Sequence, residues 1–342
     1  MQTKRPIVGI SSGDPGGIGP EVTAKALDKP EIYTLCRPLV VSDTAVMKDA
    51  VRVAGLNLAV NAVFSPEEGR YEHGIIDVLD ARALPPDELR YKTATAAQGR
   101  ASFEYIAKNI ELALAGKIGA TVTGPINKAA VNAAGFHYAG HTEIYAELTK
   151  TRDYTMMLAD GDFRVAHVST HVSLRHACDR VKKERVFTVI ALAYDALRKL
   201  GIAAPRIGVA GLNPHSGEGG LFGDEEIREI IPAIEAARAK GINAEGPVPP
   251  DTVFTKMAGG VYDLVVAMYH DQGHIPIKLK GFSFDGTTGQ MGAVAGVNVT
   301  LGLPIVRVSV DHGTAFEIAG EGRANADSMI DSIELAAFLA KQ

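Results

Sequence analysis

A β-branched run, Pro6 to Ile10, breaks into the glycine-rich turn SSGDPGGIGPE and then into a helix-like segment. That strand, turn, helix succession recurs along the chain and constrains the fold more than any other feature. PLVVSD (38–43), GIIDVLD (74–80), GATVTGPINK, FRVAHVST, RIGVAGLNP, YDLVVAMYH and PIVRVSV read as further strands. Helices are predicted between them over 44–54, 96–115, 182–200, 224–240 and 326–340. The strongest is 96–115, where Phe103, Ile106, Ala107, Ile110 and Leu114 share one face of a 3.6-residue period. Pro232 is expected to kink or split the segment 224–240. Strands alternating with helices call for α/β layers around a largely parallel sheet.

The chain has 342 residues, enough for about two domains. It carries a net charge of −5 with no basic stripe, which argues against a nucleic-acid partner. Cys36 and Cys178 are the two cysteines; they lie far apart, without metal-ligand spacing, and read as reduced thiols. No stretch approaches the ~20 apolar residues of a membrane helix. The N-terminus lacks a signal-peptide core, so a cytoplasmic protein is expected. One segment, Phe282 to Asn298, is rich in Gly, Ala and Thr and reads as a flexible surface loop.

In α/β proteins the loops at the carboxyl ends of strands carry the chemistry. The first, Gly13-Asp14-Pro15-Gly16-Gly17, is neither a dinucleotide fingerprint nor a phosphate loop. A helix N-terminus approached by glycines suits an anion, and a plain tight turn fits as well. Three histidines fall at or just beyond strand ends: His171 after HVST, His215 after RIGVAGLNP, and His270 at the end of LVVAMYH. Any one of them alone reads as a hydrogen-bonded structural histidine. Three in similar positions suit a catalytic Zn²⁺ or a similar divalent ion with an open fourth position. Arg307 interrupts an apolar strand and needs an anionic partner, either an internal carboxylate or a substrate group. Lys128, His141-Thr142 and Lys278 add polar and basic groups.

Together GDPGGIGPE, TGPINK, AGHTE, STHVSLR, GLNPHSGEGG, MYHDQG, GVNVTLGLPIVRVSVDHGTA and IAGEG resemble the 4-hydroxythreonine-4-phosphate dehydrogenase family of vitamin B6 synthesis. They run in family order from residue 13 to residue 322. The resemblance implies two α/β/α domains similar to isocitrate and isopropylmalate dehydrogenases, drawn here as 1–130 plus 300–342 and 131–299. It implies a homodimer with a shared active site. The metal ligands would be His171, His215 and His270, the last donated across the dimer interface, with Zn²⁺ first and Co²⁺, Mn²⁺ or Mg²⁺ as alternatives. His141, Thr142, Lys278, Asn298 and Arg307 match substrate-binding positions. Asp271, next to a ligand, would orient it or relay a proton, and Lys278 would act with it. HGTAFEIAGEGRANAD is similar to the nucleotide loop of those relatives, so NAD would be held by His312, Gly313, Thr314, Gly320 and Asn325, with Gly13 and Asp14.

The sequence departs from the vitamin-pathway pattern in two places. His274 stands in HDQGHIPIK where an apolar residue is usual, and Lys278 and Asn298 are further apart than the pattern implies, with an insertion around Phe282 to Ala295. The first departure resembles the branch acting on D-threonate and D-erythronate 4-phosphate, and also the terephthalate-type cis-dihydrodiol dehydrogenases. The expected reaction is NAD-linked oxidation and decarboxylation of a small phosphorylated 3-hydroxy acid.

Overall fold

The computed structural model describes residues 5–286, 290–294 and 296–342. The strands of the first half are β1 (Ile7–Ser11), β2 (Arg37–Ser42), β3 (Ala59–Val63), β4 (Ile75–Asp80), β5 (Ala120–Thr123), β6 (Thr155–Asp160) and β7 (Phe163–His167). Those of the second half are β8 (Ile207–Ala210), β9 (Ala244–Val248), β10 (Leu264–Ala267), β11 (Phe282–Asp285), β12 (Gln290–Val294), β13 (Val297–Leu301) and β14 (Arg307–Val310). The chain forms two compact units. Unit 1 comprises Met1–Thr151, Ala293–Val297 and Leu303–Gln342; unit 2 comprises Arg152–Gly292 and Asn298–Gly302.

In unit 1 the strands lie in the order β3-β4-β2-β1-β5-β14, with every described pair parallel. Parallel strands covered on both faces must be apolar throughout; accordingly β1 and β5 are buried at every position. The helix Ala96–Leu114 covers one face. It starts where Thr95 accepts a hydrogen bond from the Gln98 N–H, and it buries Tyr105, Ile106 and Ile110. The helices Lys128–Ala133 and His141–Leu148 both belong to unit 1, whereas a boundary at residue 130 cuts the first and puts the second in the other domain. The reason is packing. Phe136 and Tyr138 stack on Phe103 at 3.8 and 5.9 Å, and Ile144 and Tyr145 share an apolar cluster with Ile106 and Ile110.

Unit 2 orders its strands β13-β6-β7-β10-β8-β9. The pair β6/β7 is an antiparallel hairpin, and β7/β10, β10/β8 and β8/β9 are parallel. The helix Lys183–Lys199 buries Val186, Val189, Ile190, Ala193 and Leu197, the face its periodicity predicts.

The segment 224–240 splits beside Pro232, as expected, into a π-helical turn, Glu226–Ile230, and an α-helix, Ile231–Ala239, with Pro232 in the first turn of the second. The structure corrects the sequence reading at three points. The strand before His270 ends at Ala267, and His270 opens a helix, His270–Gly281, with Pro276 inside it. The strand before His171 ends at His167, which leaves His171 in the following loop. Phe282–Asp285 and Gln290–Val294 pair as a two-stranded sheet; residues 287–289 and 295 of the expected loop and insertion lie outside the described residues. No helix among the described residues is long and apolar enough to cross a membrane.

Candidate active site

In unit 1, β1 lies between β2 and β5, so successive connections leave in opposite directions around it. Loops beyond the carboxyl ends of strands at such a reversal form a natural binding crevice. The Gly13–Gly17 turn follows β1. Gly13 has φ +82°, and a Cβ there would lie 2.3 Å from the Pro125 carbonyl oxygen, so only glycine fits. Asp14 is fully buried. Its N–H donates to Pro125 O at 2.9 Å, and its Oδ1 accepts from the Gly16 N–H at 2.8 Å. Oδ2 is buried without a hydrogen bond of ordinary geometry among the described residues. Burial pushes the carboxyl up to about 6, against the opposing pull of the Gly16 and Asn127 N–H groups.

Beside β5 and β14 the sequence places a cationic cluster. Arg307, the first residue of β14, is buried; its guanidinium donates to Thr123 Oγ1 at 3.0 Å and lies 5.5 Å from the centre of the Tyr145 ring. Burial pulls its pKa down to about 10, while Tyr145 and Glu143 oppose that pull. His141 opens the helix His141–Leu148 and Thr142 follows it. Burial, then the charges of Arg307 and Lys128, hold the His141 imidazole well below its usual pKa, so it is neutral. His141 Nε2 and Tyr145 Oη are buried without a hydrogen bond of ordinary geometry among the described residues, although Thr121 stands close to the Tyr145 hydroxyl. A buried cation ringed by unfilled polar atoms is what an anionic ligand completes.

The loop between β14 and the helix Asp327–Leu339 carries His312, Gly313, Thr314, Gly320 and Asn325. The Ile18 N–H donates to Thr314 O at 3.0 Å, which joins this loop to the turn after β1. Lys25 donates to Gly322 O at 2.9 Å, Ala324 O at 2.8 Å and Glu21 Oε1 at 2.9 Å, and Glu21 Oε1 also accepts from the Ala324 N–H. Lys92 donates to Glu317 O at 3.0 Å. Thr314 is thus tied to the turn that carries Gly13 and Asp14, and Asn325 caps its own segment by accepting from the Asp327 N–H. His312 Nε2 is buried and unpartnered among the described residues.

Unit 2 holds all three expected metal ligands. His171 and His270 approach with ring centroids 5.9 Å apart. His215 does not join them: among the described residues no three His, Cys, Asp or Glu side chains gather into a metal-binding group. Asp271 Oδ1 lies 2.6 Å from His270 Nδ1, and Glu218 Oε2 lies 3.2 Å from His215 Nδ1. A carboxylate on Nδ1 fixes the tautomer and leaves Nε2 as the ligand atom. The donor set therefore fits a divalent ion in its chemistry. Lys278, two turns beyond His270, lies with its ammonium 4.8 Å from the Phe282 ring centre. Asn298 Nδ2 donates to Met156 Sδ at 2.7 Å, and its Oδ1 is buried without a partner among the described residues.

Three residues near the histidines carry structure that the sequence reading did not assign. His274 stacks on His270 at 3.6 Å and its Nδ1 bonds His270 O at 2.9 Å; burial, then the neighbouring His270, push its pKa down to about 4. His167, buried in β7, lies 4.7 Å from His274. Glu226 is buried at the start of the π turn.

Comparison with known proteins decides the family. A family model described as "Pyridoxal phosphate biosynthetic protein PdxA" matches residues 34–336. The chain belongs to the PdxA family. A relative from Symbiobacterium thermophilum named "Putative D-threonate 4-phosphate dehydrogenase" is 47% identical over 333 residues, 97% of this chain and 96% of that one. The PdxA-family chain also matches a 4-hydroxythreonine-4-phosphate dehydrogenase structure from Klebsiella pneumoniae, with 43% identity, TM-score 0.86 and full coverage of both chains. A terephthalate 1,2-cis-dihydrodiol dehydrogenase structure from Burkholderia xenovorans matches at 30% identity and TM-score 0.67, covering 97% of this chain and 98% of that one. The fold alone extends to a β-decarboxylating dehydrogenase of Thermococcus kodakarensis, with TM-score 0.50 at 12% identity, covering 97% of this chain and 83% of that one. The mixed α/β fold is thus the one expected, and the protein is an oxidoreductase of the dehydrogenase type.

Proposed function

We propose that the protein oxidises and decarboxylates a small phosphorylated 3-hydroxy acid, D-threonate or D-erythronate 4-phosphate, to dihydroxyacetone phosphate and CO₂. The observation that carries this reading is the buried Arg307 beside His141 and Thr123, an anion site where the first residue of β14 reaches the carboxyl end of β5. The relative at 47% identity, named for D-threonate 4-phosphate, favours the acid-sugar substrate over the amino-acid phosphate named for the Klebsiella structure.

NAD would be held by the loop of His312, Gly313, Thr314, Gly320 and Asn325 with Gly13 and Asp14. A divalent ion, Zn²⁺ first, would be held by His171, His215 and His270. When bound, NAD supplies a hydride acceptor and the ion a Lewis acid. The protein's own part is positioning. Arg307, His141 and Thr142 grip an anionic group of the substrate, and Lys278 and Asn298 offer polar contacts to the rest of it. Asp271 holds the His270 ring in one tautomer. Oxidation at C3 gives a 3-keto acid, whose carboxylate leaves as CO₂. A second copy of the chain, in a homodimer of the cytoplasm, would complete the histidine set that one chain does not gather.

Purified protein with NAD⁺, a divalent salt and each candidate substrate, followed by NADH absorbance, tests the reading. Turnover of D-threonate or D-erythronate 4-phosphate with release of dihydroxyacetone phosphate is expected. Turnover confined to 4-hydroxythreonine 4-phosphate, or to an unphosphorylated dihydrodiol, would refute it.

A further inference from the structure

His215 stands on backbone that most residues avoid. From His215 to Gly219 five successive residues are left-handed, with φ of 51°, 57°, 81°, 45° and 68°. Three of the five are not glycine, and L-residues disfavour this region because Cβ crowds the next carbonyl. Such a run persists only where its surroundings over-determine it.

The surroundings here converge on one side chain. Glu226 is 1% exposed, and its Oε1 accepts from both the Leu212 and the Asn213 N–H groups at 2.8 Å. Its Oε2 accepts from Asn213 Nδ2 at 2.9 Å. The carboxylate thus gathers three donors from the two residues that lead into Pro214 and His215. Asn213 cannot reverse its amide, because the same Nδ2 donates to Glu225 Oε2 at 2.7 Å, and a flip would turn its oxygen towards that carboxylate. Gly217, inside the run, passes so close that a Cβ would lie 2.7 Å from Glu226 Oε2. Upstream, the Gly211 carbonyl accepts from Gln272 Nε2 at 2.8 Å, so the loop is fixed at both ends.

We propose that Glu226 is a positioning residue for the metal site: its buried carboxylate holds the left-handed turn that presents His215 before any ion arrives. The proposal rests on the reading of His215 as a metal ligand. Glu226 touches neither metal nor substrate; it acts through the 212–215 backbone. Glutamine cannot replace it. Its amide oxygen can accept the two N–H groups, but its Nε2 then faces Asn213 Nδ2, donor to donor.

Glu226→Gln in the full-length protein tests this with two measurements. Zinc affinity, read by competition with a chromophoric chelator, should fall roughly 10- to 100-fold, the range for groups that orient a ligand from behind. Hydrogen exchange of metal-free protein should show lost protection at the Leu212 and Asn213 amides, with exchange in β8 and β10 unchanged. Zinc affinity within about threefold of wild type, or unaltered protection at 212–213, overturns the proposal. If Glu226→Gln fails to fold, Gly217→Ala is measured the same way: it leaves the carboxylate in place but forces the turn away from it, and the same fall in affinity is expected. Wild-type protein that binds no zinc would remove the metal reading and this proposal with it. A wild type that binds zinc beside a variant that binds equally well removes the clamp alone.

Discussion

Asp14 gives a test that needs no ligand. Its carboxyl is fully buried, and burial raises its pKa from 3.8 to about 6. A group raised in the folded state contributes its stability below the unfolded pKa, here below 3.8, and loses that contribution as pH rises through about 6. The gap is worth about 3 kcal/mol once the group is ionised in both states. Asp14→Asn keeps an oxygen for the Gly16 N–H and removes the charge. It should therefore match wild type near pH 4 and exceed it at pH 8 by up to about 3 kcal/mol, less whatever its Nδ2 loses against the Asn127 N–H. With an unfolding entropy of about 2.1 cal/mol/K per residue, 342 residues convert 3 kcal/mol into a Tm gain of about 4 °C. Calorimetric scans of both proteins from pH 4 to 8 should show the Tm difference growing between about pH 4 and 6, half complete near pH 5 and level above about 7. A difference that does not change with pH, or a variant less stable at pH 8, would refute the reasoning.

Further outcomes follow from named contacts. Arg307→Met should lower kcat/KM on the order of 100-fold by removing the buried cation from the anion site, with Tm held or raised because the charge no longer needs burying; a large fall in Tm with unchanged KM would contradict the assignment. Lys25→Met removes donors to Gly322 O, Ala324 O and Glu21, so KM for NAD should rise on the order of tenfold with kcat little changed, as initial rates will show. Dialysis against EDTA should abolish NADH formation and a divalent salt should restore it; activity that survives chelation removes the metal from the reaction. Thr95→Ala deletes the cap of the helix Ala96–Leu114 and should lower stability in urea by about 1 kcal/mol.

Most of the buried parallel strands of unit 1 are legible, because a strand covered on both faces is largely apolar. β1, β2, β4 and β14 fall within a residue or three of their predicted bounds. β3 was missed: AVNAV is half exposed and carries a polar residue at its centre. β6 was missed because Met156 and Met157 do not announce a strand, and β9 because glycine and proline sit inside it. The helix from His270 is not legible in the sequence, since HDQGHIPIKLKG has no amphipathic period and contains a proline. His171, His215 and His270 came from position and from motif resemblance. Glu218 and Glu226 did not, since what singles them out is contact with His215 Nδ1 and with the 212–213 backbone. No spacing in the sequence encodes such contacts.

The helix His270–Gly281 bears His270, His274 and Lys278 at every fourth position. Its rise sets those stations about 6 Å apart along the axis, and no exchange of side chains alters that interval. A residue added within the helix would swing everything beyond it by about 100°, parting the histidine from the lysine. The frame leaves two ways to vary what lines it: exchanging the side chains at those fixed stations, or lengthening the chain after Gly281. There, extra residues disturb no register on the helix.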